Sequence, residues 1–133
     1  MLSRDDVLQA RDFPDGIARN AYNLDIHIPD ALGNSDNDES DWGFLKPGTS
    51  YAVPYRCLLP SGLENVLVAG RPISTDHEAH SSTRIMPCCM ATGQAAGTAA
   101  AMAAASQTSP RAVDIEALRH ALCRQRVLLT SPH

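Results

Sequence analysis

The sequence predicts an α/β fold that is incomplete as a domain, and three observations carry that prediction. Residues 66–69, Val-Leu-Val-Ala, are apolar without alternation, the pattern of a short strand covered on both faces. Gly70-Arg71 then breaks the strand and leads into a polar loop. An Ala/Gly-rich helix follows, from about Cys89 or Met90 to Ala105. Strand, glycine turn, polar loop and small-residue helix is the order in which α/β proteins hold an anionic or dipolar cofactor. It reads as the closing half of a nucleotide site. The opening half, a Gly-x-Gly-x-x-Gly turn after a first strand, appears nowhere in the chain.

The remaining elements follow in order. Ser3 caps a first helix, with Asp6 at its third position and Leu2 facing Val7 as a staple. That helix is expected to run to about Arg11, because Phe13-Pro14-Asp15-Gly16 is turn chemistry. Residues 21–28 alternate as a strand with Tyr22, Leu24 and Ile26 on one face. Residues 33–41 are acidic and polar and read as a solvated loop, without the ligand spacing of a calcium site. Residues 50–59 read as a strand, with Pro54 marking an edge or a bend. Pro60-Ser61-Gly62 turns the chain. In the small-residue helix, Gly93, Gly97, Ala100, Ala101 and Ala104 share one broad face. An interior glycine costs about 1 kcal/mol relative to alanine. That face is therefore expected to meet something closely, either a sheet or a cofactor. Asp114 caps a last helix striped by Ile115, Leu118 and Leu122, and residues 127–129 read as a final short strand.

Bulk properties narrow the partners. A chain of 133 residues supports one modest core, and its net charge of −4 does not favour nucleic acid or an anionic membrane. No apolar run approaches the ~18 residues of a membrane span. Acids in the first six residues do not suit a signal peptide, so a cytoplasmic protein is expected. Cys57, Cys88, Cys89 and Cys123 match neither a zinc ribbon nor a C-x-x-C pair, and are read as free, largely buried thiols. No metal site is assigned.

Chemistry is expected in the loop after the apolar strand, which holds Arg71, Ser74, Asp76, His77, His80, Ser81 and Arg84. Arg71 and Arg84 suit a clamp on phosphate or carboxylate; the alternative is pairing with Asp76 or Glu78. His77 and His80 are three apart and could bind a metal if helical, but a third ligand such as His27 would have to come from far away, and the pair is not assigned as a metal site. Ser, His and Asp are all present, but no Gly-x-Ser-x-Gly elbow supports a hydrolase. His27 and Tyr55 are candidate proton-handling groups beside a substrate.

These residues form an ordered series. It runs Tyr22-x-Leu24-Asp25-Ile26-His27, Tyr51-x-x-Pro54-Tyr55-Arg56-Cys57-Leu58-x-Pro60, and Glu64-Asn65-Val66-Leu67-Val68-Ala69-Gly70-Arg71-x-x-Ser74. It continues with Ser82-x-Arg84-x-Met86-Pro87 and Gly93-Gln94-Ala95-Ala96-Gly97-Thr98-Ala99-Ala100. The series resembles the C-terminal part of the FAD-dependent oxidoreductase family related to the flavin subunit of heterodisulfide reductase. The resemblance implies the C-terminal portion of a flavoprotein of the two-dinucleotide-binding-domain type, preceded by an extended β-rich segment. Residues 1–62 would be a remnant of the substrate or cap region with connecting strands, and residues 63–133 the closing part of the FAD-binding domain. The implied cofactor is FAD, held by Ala69, Gly70, Arg71, Ser74, Arg84, Gly93, Gln94 and Ala95. The amides at 93–95 would point toward the pyrimidine edge of the ring, where donors favour reduction. His27, Tyr55 and Arg71 would face a small organic substrate. A 4Fe–4S cluster belongs to the wider family, with ligands outside this chain.

The missing dinucleotide turn implies a partner, an N-terminal FAD-binding half in the same or a separate polypeptide. The preferred reading is hydride transfer between a small organic substrate and flavin. The alternative is a noncatalytic fragment or accessory subunit that binds no flavin without that half.

Overall fold

The computed structural model describes residues 1–26 and 43–130. His27 and the expected acidic loop lie outside the described residues, as do the last two residues of the expected 21–28 strand. The architecture is α/β, with four helices around one small sheet among the described residues.

Helix α1 (Arg4–Leu8) starts as its residues dictate. The Ser3 hydroxyl and the Asp6 carboxylate cap each other's backbone reciprocally, and Leu2 and Val7 are fully buried beside them. The helix ends earlier than expected. Ala10 enters the left-handed region (φ 49°), and the amides of Ala10 and Arg11 close back on the carbonyls of Val7 and Asp6. Asp6 responds to three influences. Burial pushes its carboxyl up, but hydrogen bonds from the Ser3 hydroxyl and amide and the nearby charges of Arg11 and Arg56 outweigh it. The net position is below the ordinary 3.8. A depressed carboxylate contributes stability above its unfolded pKa and loses it as pH falls through the folded value. The urea midpoint of the wild-type chain is therefore expected to fall as pH drops below about 3.8. Asp6→Asn should lose part of that dependence; identical pH profiles would contradict the cap.

Strand β1 (Gly16–Asn20) pairs antiparallel with β2 (Tyr51–Pro54), with a register irregularity between Gly16 and Ala18. Gly16 sits where a Cβ would press on Ala52 and the Phe13 carbonyl at 3.1 Å, so the turn at 13–16 can run tight against the sheet. Pro54 ends β2, and the chain continues into a 3-10 turn (Tyr55–Leu58) instead of extending the strand to residue 59.

Residues 21–26 form no strand, contrary to the alternation in their sequence. Their backbone groups are bound by side chains and a loop instead. The Asp25 amide donates to the Ser81 hydroxyl, the Tyr22 carbonyl accepts from Ser82, and the Leu24 amide donates to the Gly43 carbonyl. Leu24 is buried while Tyr22 is exposed, so the expected common face does not form.

Residues 66–69 are also not a strand. Val66 is exposed, and the backbone tie of this stretch is the Val68 amide to the Leu58 carbonyl at 2.9 Å. The expected cover on both faces is absent among the described residues. A strand needs a neighbour to bond, and the two paired strands lie elsewhere.

Helix α2 (His77–Thr83) is capped by Asp76, whose carboxylate accepts the Ala79 amide and reaches the Arg4 amide. Helix α3 (Met86–Ala105) begins earlier than its composition suggested, with Pro87 in its first turn. Cys88, Thr92, Ala95, Ala99 and Ala103 form its buried seam, which packs on β1. Gly93, Gly97, Ala100, Ala101 and Ala104 are exposed instead, and a Cβ at either glycine would meet nothing within 4 Å. Helix α4 (Ile115–Arg124) buries Leu118 and Leu122 against α3 and β1, as its stripe predicts. Its C-terminus is closed by the amides of Arg126 and Val127, bonded to Cys123 and Leu122. Val127 is thereby used as a helix stop, and residues 127–129 form no strand.

Candidate functional site

The Gly70-Arg71 turn is seated on the first turns of α3. Gly70 has a φ of 78°, open to glycine without strain, and its amide donates to the Thr92 hydroxyl at 3.1 Å. Thr92 in turn donates toward the Cys88 and Cys89 carbonyls. The Cys89 side chain stands about 3.9 Å from where a Gly70 Cβ would be. The other end of the loop is fixed independently. The Ser74 amide donates to the Cys57 carbonyl, and the Ser74 carbonyl accepts from Leu2. The loop 70–76 is therefore strung between α3 and the 3-10 turn after β2.

Around this turn the expected residues fall into separate groups. Ala69, Gly70, Arg71 and Ser74 lie together along the loop. Arg71 is exposed and has no ion pair among the described residues. Arg84 caps the end of α2 and faces Asp25, at 3.7 Å from its carboxylate, instead of Asp76 or Glu78. Gly93, Gln94 and Ala95 stand in the third turn of α3, where backbone amides are already bonded within the helix. This corrects the expectation that they form its free N-terminus; the unbonded amides belong to the first turn, near residue 86. Gly93 is exposed, Gln94 donates to the Gln125 side chain at 2.8 Å, and Ala95 is buried in the seam against the body of the fold. Tyr55 is buried with its hydroxyl donated to the Pro110 carbonyl at 2.8 Å, and burial raises its pKa.

The thiols divide by environment. Burial, with the neighbouring Cys89 adding to it, pushes Cys88 up to about 12, and burial raises Cys57 as well. Cys123 is exposed on α4 and Cys89 is half-buried. The four are free, and Cys57 and Cys88 fit the buried reading while Cys123 does not.

One cluster went unnoticed in the sequence. Asn20, Tyr51 and Ser82 are buried together, with Asn20 Nδ2 donating to the Tyr51 hydroxyl at 2.7 Å and Tyr51 and Ser82 sharing a 2.7 Å bond. The Ser82 proton goes to the Tyr22 carbonyl at 2.6 Å, so Tyr51 supplies the proton between the two hydroxyls. Burial holds the Tyr51 phenol far above its ordinary value, against the opposing bonds from Ser82 and Asn20. Three polar residues far apart in sequence carry no local signal of such a contact.

Among the described residues, no group of three or more His, Cys, Asp or Glu is placed to hold a metal ion, and no helix is long and apolar enough to cross a membrane. Comparison with curated proteins and with solved structures found no match. The family model for FAD-dependent oxidoreductases matches residues 1–122, nearly the whole chain, and the chain belongs to that family.

Proposed function

We propose that this chain is the closing part of a flavin site in an oxidoreductase related to the flavin subunit of heterodisulfide reductase, completed by an N-terminal FAD-binding half. Residues 1–62 then represent the substrate-side segment and residues 63–133 the closing part of the FAD-binding domain. The observation that carries this reading is the Gly70-Arg71 turn resting on α3 beside an open glycine face.

The residues present suit a flat cofactor. Gly93 and Gly97 leave the α3 backbone uncovered, with nothing within 4 Å of either Cβ position. On the helical wheel this strip lies next to Cys89, which touches the Gly70 turn. Gly70, Arg71 and Gly93 would hold the ring, with Ala69, Ser74 and Gln94 beside them; Ala95, buried in the α3 seam, and Arg84, turned toward Asp25, fall outside this group. Bound flavin supplies hydride acceptance and donation, while the protein binds and orients. Arg71, which has no ion pair among the described residues, offers its guanidinium to a phosphate or a substrate carboxylate. Tyr55 holds the turn to which the Ser74 loop is bonded, and the resemblance would assign His27, outside the described residues, to the substrate side. A 4Fe–4S cluster, where the whole enzyme has one, takes its ligands from outside this chain.

A second reading is favoured by the same open face. Helix α3 is apolar around most of its circumference, and Met86 and Met90 stand exposed at its start. A helix apolar all round is normally covered. The chain would then be a noncatalytic or accessory piece that binds no flavin until the N-terminal half docks.

Titration of the purified chain with FAD, followed by flavin fluorescence, separates the two. Saturable quenching supports a closing part that holds flavin by itself; no quenching favours the accessory reading. Gly93→Leu is expected to weaken flavin binding at least about tenfold while leaving the chain equally stable, or more stable by up to ~1 kcal/mol. Unchanged flavin affinity in that variant would remove Gly93 from the site.

A further inference from the structure

A polar concavity lies over α2. Asp25, Ile26, His77, His80, Ser81 and Arg84 line a space of about 110 Å³. Positions 77, 80, 81 and 84 fall on one helical face by their spacing. The opposite wall is the backbone at 25–26, pinned there by the Ser81 hydroxyl, which accepts the Asp25 amide at 3.0 Å, and by Arg84, which donates to the Asp25 carbonyl at 3.3 Å.

The donors left over define what fits. Ser81 gives its proton to the Glu78 carbonyl. Neither the His77 nor the His80 imidazole has a hydrogen bond or ion pair among the described residues. Arg84 approaches the Asp25 carboxylate only at 3.7 Å, with both side chains partly exposed, so that pair is weak and open to competition. Two unengaged imidazoles and a guanidinium around one hollow form a donor set for a planar or tetrahedral oxyanion. The permanent charge of Arg84 opposes a metal cation, and the described residues offer no three-ligand metal group here. The hollow is smaller than the ~300–1,000 Å³ of a site enclosing a whole ligand. It suits one functional group.

We propose that His77, His80 and Arg84 bind the oxyanion end, carboxylate or phosphate, of a small organic ligand. Its assignment as the anionic arm of the substrate rests on the flavin-site reading above; oxyanion binding itself does not.

Imidazole NMR resonances of the full chain, followed through separate titrations with acetate and inorganic phosphate at constant ionic strength, test this. The His77 and His80 signals are expected to shift together along one saturable curve, while His120 on α4 stays still. The anion that saturates first distinguishes carboxylate from phosphate. Arg84→Gln should weaken binding about tenfold, the loss of a charged hydrogen-bonding partner. His77→Gln, at an exposed position, should weaken it without disturbing the fold. Absence of saturation at tens of millimolar, or an equal shift of His120, would overturn the proposal. No flavin is present in these titrations, so failure to bind FAD and failure to bind an oxyanion are read separately.

Discussion

Leu118→Ala is expected to destabilise the chain by about 2–5 kcal/mol, read as a lowered urea midpoint with little change in slope. Leu118 is fully buried on α4, among the side chains that join α3 and β1 to that helix. Truncation removes apolar contact and leaves a cavity that a seam of alanines on α3 cannot refill. Small domains have only about 5–15 kcal/mol of net stability, so the loss is a large fraction of the total. Glu116→Ala, on the exposed side of the same helix, is the comparison, and surface changes of that kind stay within about 0.5 kcal/mol. A loss below 1 kcal/mol at Leu118 would mean that α4 is not packed as described. The consequence reaches the site, because Gln125 at the end of α4 bonds to Gln94 and Thr98 on α3.

Ser82→Ala is expected to cost about 1–3 kcal/mol, although it removes a single oxygen. The hydroxyl is fully buried and serves three partners. Without it the buried Tyr51 hydroxyl loses its acceptor, and the part-buried Tyr22 carbonyl loses its donor. A buried polar group left without a partner costs more than an average hydrogen bond contributes. The double variant Tyr51→Phe with Ser82→Ala should cost less than the sum of the two single changes, because one missing bond is counted in both. Strict additivity would show that the two hydroxyls do not interact. The same substitution should loosen residues 22–25, which Ser81 and Ser82 tie to α2, and so raise amide exchange at Asp25.

Particular residues show why some elements were legible and others were not. The Ser3–Asp6 cap and the Asp114 cap use partners within three residues, so sequence alone places both helix starts. The three clear helix ends use Ala10, Gln107 and Arg126 in the left-handed region, where glycine would have announced them. Strand β1 was missed because Gly16–Asn20 is buried at four of its five positions and shows no alternation. Residues 21–26 alternate but are bound by serines of α2, a contact no local pattern records. At the hollow over α2, the spacing of His77, His80 and Arg84 was legible, and the convergence of Asp25 upon them was not.

By itself the sequence determined the caps, the apolar stripe of α4, the turn at 13–16, and the motif series that marks a FAD-dependent oxidoreductase. The tertiary structure decided which face of α3 is buried, that residues 66–69 form no strand, and which acid meets Arg84. The physical reason is the same in each case. Alanine and glycine differ too little in hydropathy to give a helix a phase, so packing on β1 chooses the face. A short apolar run becomes a strand only where another strand offers its backbone, and an ion pair forms only where the folded chain brings its two charges together.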